Sequence, residues 1–267
     1  MSKHYYTLNL GRITTILVAA LLVVSCSTAR KATQTQATAQ VAANQTGASS
    51  STAYLEDEEL PDASIYLPSP TKPGDPLFEG DLAYYAWGKT IRPTERGTLA
   101  HDDASSSMSY VAKRFEPALG FLFSSETTPN LYRLLSKSYT TTNNANKKAK
   151  DYYKRKRPYV EFSEPTGVPE SERGSRNSAS YPSGHATRGW TIALVLAELM
   201  PERSEQILKI GYEYGESRVI VGYHYQSDVD AARIAAAAAL AVVHSNEEFL
   251  NDMALAKQEL RSLGYIK

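Results

Sequence analysis

The sequence predicts an all-helical domain, on three observations. Apolar residues recur at helical spacing, as in Leu131, Leu134, Leu135 and Tyr139, which share one face. Tracts of alternating Val, Ile and Thr, the mark of half-buried strands, are missing. A stretch from Ala231 to about His244 is so rich in alanine that it must pack closely and be largely buried.

The chain has 267 residues, 42% hydrophobic and 22% charged, which suits one globular domain with some unstructured length. Lys+Arg and Asp+Glu both total 29, so net charge offers no general attraction to nucleic acid or membrane. Residues 1–25 carry Lys3 and Arg12, then an apolar run from Ile13 to Val24 broken only by two threonines, and read as a secretory signal peptide. That run is shorter than the roughly 20 residues a membrane-spanning helix needs. Without this leader the chain keeps 27 cations against 29 acids, a mild net charge of −2.

From Ser27 to Ala53 the composition is Ala, Thr, Gln, Ser, Asn and Gly apart from Arg30 and Lys31, with Val41 the only large aliphatic residue. This is too little apolar surface to offset chain entropy, so the segment is expected to be a flexible, disordered tether. Pro61, Pro68, Pro70, Pro73 and Pro76 mark an extended entry, and continuous apolar patterning begins near Leu77. The expected division is a signal peptide over 1–25, a tether over 26–60 and a single helical domain over 61–267. Within that domain Pro182-Ser183-Gly184 opens a helix carrying Trp190, Ile192, Ala193, Val195, Leu196, Leu199 and Met200, stopped by Pro201. Ser227 with Asp230 three residues later fits a capping box at the start of the alanine-rich helix.

Three groups of residues carry chemistry. Lys150, Arg157 and Pro158 lie at the end of a basic stretch, Lys147 to Arg157, with seven cations and one acid, Asp151. Taken alone, such a stretch is a solvated helix face. In Tyr181-Pro182-Ser183-Gly184-His185, a serine and a glycine open a helix whose first N–H groups lack partners, a ready site for an anion. In Ser217-Arg218, His224 and Asp228, a carboxylate near an imidazole can hold one ring nitrogen as N–H and leave the other free to attack. Whether His224 shares a helical turn with Asp228 stays open, because the capping box leaves His224 in the preceding turn.

Together these groups supply the parts of one reaction. Arg157 and Arg218 can grip phosphoryl oxygens through bidentate hydrogen bonds, and Lys150 adds a compact charge. His224 can attack phosphorus, Asp228 orient it, and His185 protonate the leaving oxygen. An acidic to neutral optimum follows, since His185 must be protonated while His224 is not, and free histidine titrates near ~6.5. His101 with Asp102 and Asp103 reads as a polar loop, since metal-ligand spacing is missing. His244 reads as a partner of a helix end, and Trp87, Trp190 and most of the 18 tyrosines as core and rim.

The order Lys150, Arg157-Pro158, Pro182-Ser183-Gly184-His185, Ser217-Arg218, His224 and Asp228 resembles the signature shared by type 2 phosphatidic acid phosphatases, class A bacterial acid phosphatases and vanadium haloperoxidases. The likeness is greatest to the class A nonspecific acid phosphatases, through Ala149-Lys150-Asp151-Tyr152-Tyr153, Ser180 to His185, and Ser217 to Asp230, and it extends from about Asp81 to Leu260. The resemblance implies an all-helical fold and a phosphohistidine mechanism with no metal and no cofactor. It also implies broad activity on small phosphomonoesters such as nucleotides and sugar or aryl phosphates, often in a homodimer. By the same resemblance His224 is nucleophile, His185 acid and Asp228 orienter, while Lys150, Arg157, Ser183, Gly184 and Arg218 bind phosphate.

Val23-Val24-Ser25-Cys26 resembles the lipobox of bacterial lipoproteins, and Cys26 is the only cysteine. Lipidation at Cys26 would place the enzyme in the periplasm or cell envelope, as an outer-membrane lipoprotein touching the membrane through its anchor alone. The family departures are the absence of cysteine from the domain and Ala186 where many members have threonine. Competing readings are a vanadate-dependent haloperoxidase, a lipid phosphate phosphatase and a lipoprotein that captures phosphate without turnover.

Overall fold

The computed structural model describes residues 51–267; the expected signal peptide, Cys26 and the tether as far as residue 50 lie outside the described residues. Short helices α1 (Ala63–Tyr66), α2 (Phe78–Ile91), α3 (Glu95–Asp102) and α4 (Met108–Leu119) lead into the longer α5 (Pro129–Asn144). Then come α6 (Asn146–Tyr153), α7 (Pro158–Glu161), α8 (Glu172–Ser175), α9 (Gly184–Leu199), α10 (Ser204–Ile220), α11 (Gln226–Val243) and α12 (Glu247–Ser262). No strand occurs among the described residues, as the sequence predicts.

Helix α9 is the centre. It packs on α10, α11 and α5, and α12 covers the far side of α5. Ile192, Val195 and Leu196 of α9 meet Leu131, Leu134 and Leu135 of α5, Phe115 of α4 and Phe249 of α12 in one apolar core. The alanine face of α11, with Ala231, Ala232, Ala235, Ala236 and Ala239, is buried as expected, because methyl side chains let neighbouring helices approach. Packing begins earlier than the prolines suggest. Tyr54, Leu55 and Leu60, assigned to the tether by the boundary at 61, are buried in the main core. The Tyr54 hydroxyl donates to Asp252 at 2.7 Å and its N–H to the Thr141 hydroxyl at 2.8 Å.

Helices α9 and α10, which carry His185 and Arg218, cross closely. A Cβ on Gly211 of α10 would lie 2.4 Å from Ala193 Cβ and 2.9 Å from the Gly189 carbonyl oxygen, so only glycine permits this crossing. Gly211→Ala should cost about 1–3 kcal/mol through overpacking. Urea unfolding measures this as a lower midpoint, and an unchanged midpoint would show that the two helices can part without cost.

Helix α11 starts differently from the expected capping box. Its N-cap is Tyr225, and Asp228 stands at the third helical position with Oδ2 accepting the Tyr225 N–H at 2.9 Å. Ser227 lies inside the first turn, where its N–H and hydroxyl donate to the buried Asp81 of α2 at 2.9 and 2.6 Å. Asp230 is exposed and pairs with Arg233. A distant carboxylate has taken Ser227, and this shifts the cap to the preceding residues. His224 therefore lies just outside the helix.

Candidate active site

Four chain segments supply the site, and local hydrogen bonds hold each in place. Helix α10 ends at Ile220, and Gly222 turns the chain at a φ of 78°, where a Cβ would meet the Arg92 guanidinium. Inside that turn the N–H groups of Tyr223 and His224 both donate to the Arg218 carbonyl, at 2.9 and 3.2 Å. The spacing from Arg218 to His224 is thus one helix end plus one tight turn. The Ser180 N–H donates to the Arg155 carbonyl at 2.8 Å and the Ser183 N–H to the Asp228 carbonyl at 3.0 Å, tying the start of α9 to the other segments.

Lys150, Arg157, Gly184, His185, Arg218 and His224 all border one cavity of about 410 Å³. Asp228 and Ser183, both fully buried, stand behind its wall. The eight residues given a role in the sequence groups are thereby brought together, but with different access to the cavity.

His224 is 3% exposed and its two ring nitrogens have opposite surroundings. Nδ1 faces Asp228 Oδ2 at 3.3 Å and the Ser180 hydroxyl at 3.2 Å. The Ser180 hydroxyl itself donates to Asp228 Oδ2, so Nδ1 carries the proton that the carboxylate accepts. Nε2 lies 2.8 Å from Arg157 Nη1; a guanidinium only donates, so Nε2 holds a lone pair. Burial, with Arg157 alongside, pushes the His224 pKa down to about 3 despite Asp228. The ring is neutral at any ordinary pH, with Nε2 unprotonated. Burial alone would raise Asp228, but Arg155 and the hydrogen bonds from His224 and Ser180 hold it well below the usual carboxylate range.

The cations differ in how much of their donor capacity the protein uses. Arg157 spends Nε on the carbonyls of Ser175 and Ser178 and Nη2 on the Ser178 hydroxyl. Arg218, 4% exposed, has Nε and Nη1 buried with no hydrogen-bond partner, and burial lowers its pKa to about 10. Buried guanidinium donors without acceptors are costly, and the chemistry that satisfies them is an oxyanion. Lys150 donates to the Ala179 carbonyl at 2.9 Å, and burial, then Arg157, lowers its pKa to about 7.

At the start of α9 the Ser183 hydroxyl caps the Ala186 N–H, and the Ser183 carbonyl accepts the Thr187 N–H. Of the four N–H groups that a helix start leaves open, those of Gly184 and His185 remain for an anion. Ser183 thus acts at the cavity through its cap rather than by lining it. His185 Nε2 lies 2.9 Å from the Asp103 carbonyl, which holds that nitrogen as N–H and leaves Nδ1 to gain and give a proton. Its ring stacks on Tyr214, and burial, then Arg218 and Arg188, pushes its pKa well below the ordinary value.

Sequence reasoning missed the support behind these groups. Arg155 is buried between two carboxylates, Asp228 Oδ1 at 2.7 Å and Asp81 Oδ2 at 2.8 Å, and lies over the Tyr225 ring. It was visible only as one more cation in the basic stretch, and Asp81 had no local signal. Asp103, read as part of a polar loop, is fully buried: it accepts from Ser217, Tyr110 and Arg114 and presents its carbonyl to His185. Tyr139 and Tyr223 are tyrosines that border the cavity. Among the described residues, no group of three or more His, Cys, Asp or Glu side chains could hold a metal ion.

Comparison with known proteins adds a family context. A model of the PAP2 superfamily matches residues 131–251. A non-specific acid phosphatase of Providencia stuartii is 41% identical over 211 residues, covering 79% of this chain and 85% of that protein. A non-specific acid phosphatase of Salmonella typhimurium strain LT2 is 36% identical over 221 residues, covering 82% and 88%. An acid phosphatase of Zymomonas mobilis is 34% identical over 211 residues, covering 79% and 78%.

Proposed function

Because the chain belongs to the non-specific acid phosphatases of the PAP2 superfamily, and is a phosphatase, we propose that it hydrolyses small phosphate monoesters through a phosphohistidine on His224, without a metal ion. The observation that carries this reading is the polarity of the His224 ring: Nδ1 faces the Asp228 carboxylate while Nε2 keeps its lone pair at the cavity. A protein that only captured phosphate would need the cations and have no use for that arrangement.

In the first step the Nε2 lone pair forms a bond to phosphorus as the ester P–O bond breaks, and the imidazolium that results is stabilised by Asp228. Arg157 gives up Nε2 and turns its N–H to a phosphoryl oxygen. The open Nε and Nη1 of Arg218, the Lys150 ammonium and the N–H groups of Gly184 and His185 hold the other oxygens. His185 passes a proton to the leaving oxygen. In the second step water attacks phosphorus, the N–P bond breaks, and His185 takes the proton from water. Three cations at the cavity perform the charge neutralisation for which other phosphatases use metal ions. Phosphate release from p-nitrophenyl phosphate and from a nucleoside monophosphate is expected to continue undiminished in EDTA. Loss of activity in EDTA that added divalent metal restores would overturn the metal-free reading.

The pH dependence has a definite sign. Both histidines are pushed downward, so at the acidic end kcat/KM should rise as His224 loses its proton near pH 3. Above that, it should begin to fall below the ordinary histidine range, as His185 gives up the proton it must donate, lower than the sequence alone suggests. A second fall is expected through about pH 7, where Lys150 loses its charge and phosphate is held less well. Lys150→Arg keeps a cation at every pH, so the fall near pH 7 is expected to move upward in that variant even where its maximum rate is lower. A limb that stays in place would assign that titration to another group.

The envelope location and the lipid anchor on Cys26 belong to this reading through the leader sequence alone, as does a homodimer through family likeness.

A further inference from the structure

One cation at the cavity has no role in the reaction proposed above. Lys150, Arg157, Arg218 and Arg188 all border the cavity, and Asp and Glu are absent from its lining. The first three suffice for a phosphomonoester dianion. Arg188 is left over. Its guanidinium lies 3.8 Å over the Tyr139 ring and donates to the Ser106 carbonyl, and no carboxylate among the described residues pairs with it.

The position of Arg188 says which part of the substrate it meets. It stands three residues beyond His185 on α9, and residues at that spacing share one face of a helix. Its charge is felt at His185, whose pKa it helps to lower. The proposed reaction makes His185 the donor to the leaving oxygen, so the same face borders the leaving group rather than the transferred phosphoryl group. Tyr139 holds the planar guanidinium from one side and restricts its motion, which leaves the fork set to receive an oxyanion.

We propose that Arg188 forms a second anion subsite that selects substrates whose leaving group carries its own negative charge, such as inorganic pyrophosphate, nucleoside diphosphates and sugar bisphosphates. This rests on the assignment of His185 as acid. With pyrophosphate, His224 Nε2 bonds to one phosphorus as the bridging P–O bond breaks, His185 protonates the bridging oxygen, and the departing phosphate leaves from Arg188. Water then cleaves the N–P bond as for any monoester.

The test compares inorganic pyrophosphate with p-nitrophenyl phosphate, in EDTA, for wild type, Arg188→Met and Arg188→Lys, reading the ratio of the two kcat/KM values. The ratio cancels any change in His185 that affects both substrates. It is expected to fall about tenfold or more in Arg188→Met, in line with loss of a charge-assisted hydrogen bond, and to fall less in Arg188→Lys. A ratio unchanged within about twofold in Arg188→Met would overturn the subsite. So would a wild type that shows no pyrophosphate hydrolysis while it turns over p-nitrophenyl phosphate. Failure of the phosphohistidine reading is a separate result, since it would appear as p-nitrophenyl phosphate turnover that survives His224→Ala.

Discussion

Replacing His224 by alanine is expected to lower the rate of phosphate release by at least ~10⁴-fold, the scale on which removal of a nucleophile acts. The expected effect is large because the proposed bond to phosphorus forms at the unprotonated Nε2, which Asp228 and Ser180 fix through Nδ1. Ground-state binding is expected to behave differently. The open donors of Arg218 and the N–H groups of Gly184 and His185 do not depend on His224, so inorganic phosphate should bind the variant with a Kd within about tenfold of wild type by calorimetry. Loss of rate without loss of binding separates nucleophile from ligand. A variant with near wild-type rate would exclude His224 as the attacking group, and a variant that binds no phosphate would make the ring part of the cradle.

Arg155→Met is the second change with a large expected effect. Arg155 neutralises two buried carboxylates, and its loss leaves Asp228 and Asp81 buried without the cation they share. Breaking a buried pair costs about 3–5 kcal/mol because a charge stays buried and uncompensated. Chemical unfolding should show that loss. The sign of its pH dependence follows from Asp228. A carboxylate held below its ordinary range stabilises the fold above that range, and the contribution disappears as pH falls through the depressed value. Without Arg155 the carboxylate takes up its proton at higher pH, so the deficit should be greatest near neutrality and narrow in acid. Turnover should fall as well, since a protonated or displaced Asp228 no longer fixes the His224 tautomer. A stability loss below about 1 kcal/mol would mean that water, rather than Arg155, balances this charge.

How much of this was legible in the sequence depends on the range of the interaction. The helical spacing of Leu131, Leu134 and Leu135, and the alanine face of α11, were readable because each reflects one helix pressing on its neighbours. The groups holding Lys150, Arg157, Ser183, Gly184, His185, Arg218, His224 and Asp228 were readable because their chemistry combines in short blocks. Arg155 and Asp81 were not, because a buried ion pair between distant segments leaves no local pattern. The same contact explains why the start of α11 was misplaced: Ser227 has the residue type of an N-cap, but Asp81 takes both its donors. Tyr54, Leu55 and Leu60 fall in the tether on sequence because continuous apolar patterning begins only near Leu77; it is long-range packing that gives them a place, Tyr54 between α5 and α12 and the two leucines in the main core. Asp103 looked like loop surface beside His101 and Asp102, yet it is the acceptor around which Ser217, Tyr110 and Arg114 assemble.

The covalent intermediate on His224 is the central claim, and rapid acid-free quenching of a single turnover tests it most directly. Enzyme mixed with a phosphorus-labelled aryl phosphate, stopped in alkali and digested, should yield label that survives base and is lost in acid, the behaviour of a phosphoramidate. Mass spectrometry should place it on the peptide that contains His224, and the His224→Ala protein should carry none. Turnover that proceeds with no protein-bound phosphate, or with phosphate on another residue, would contradict the account.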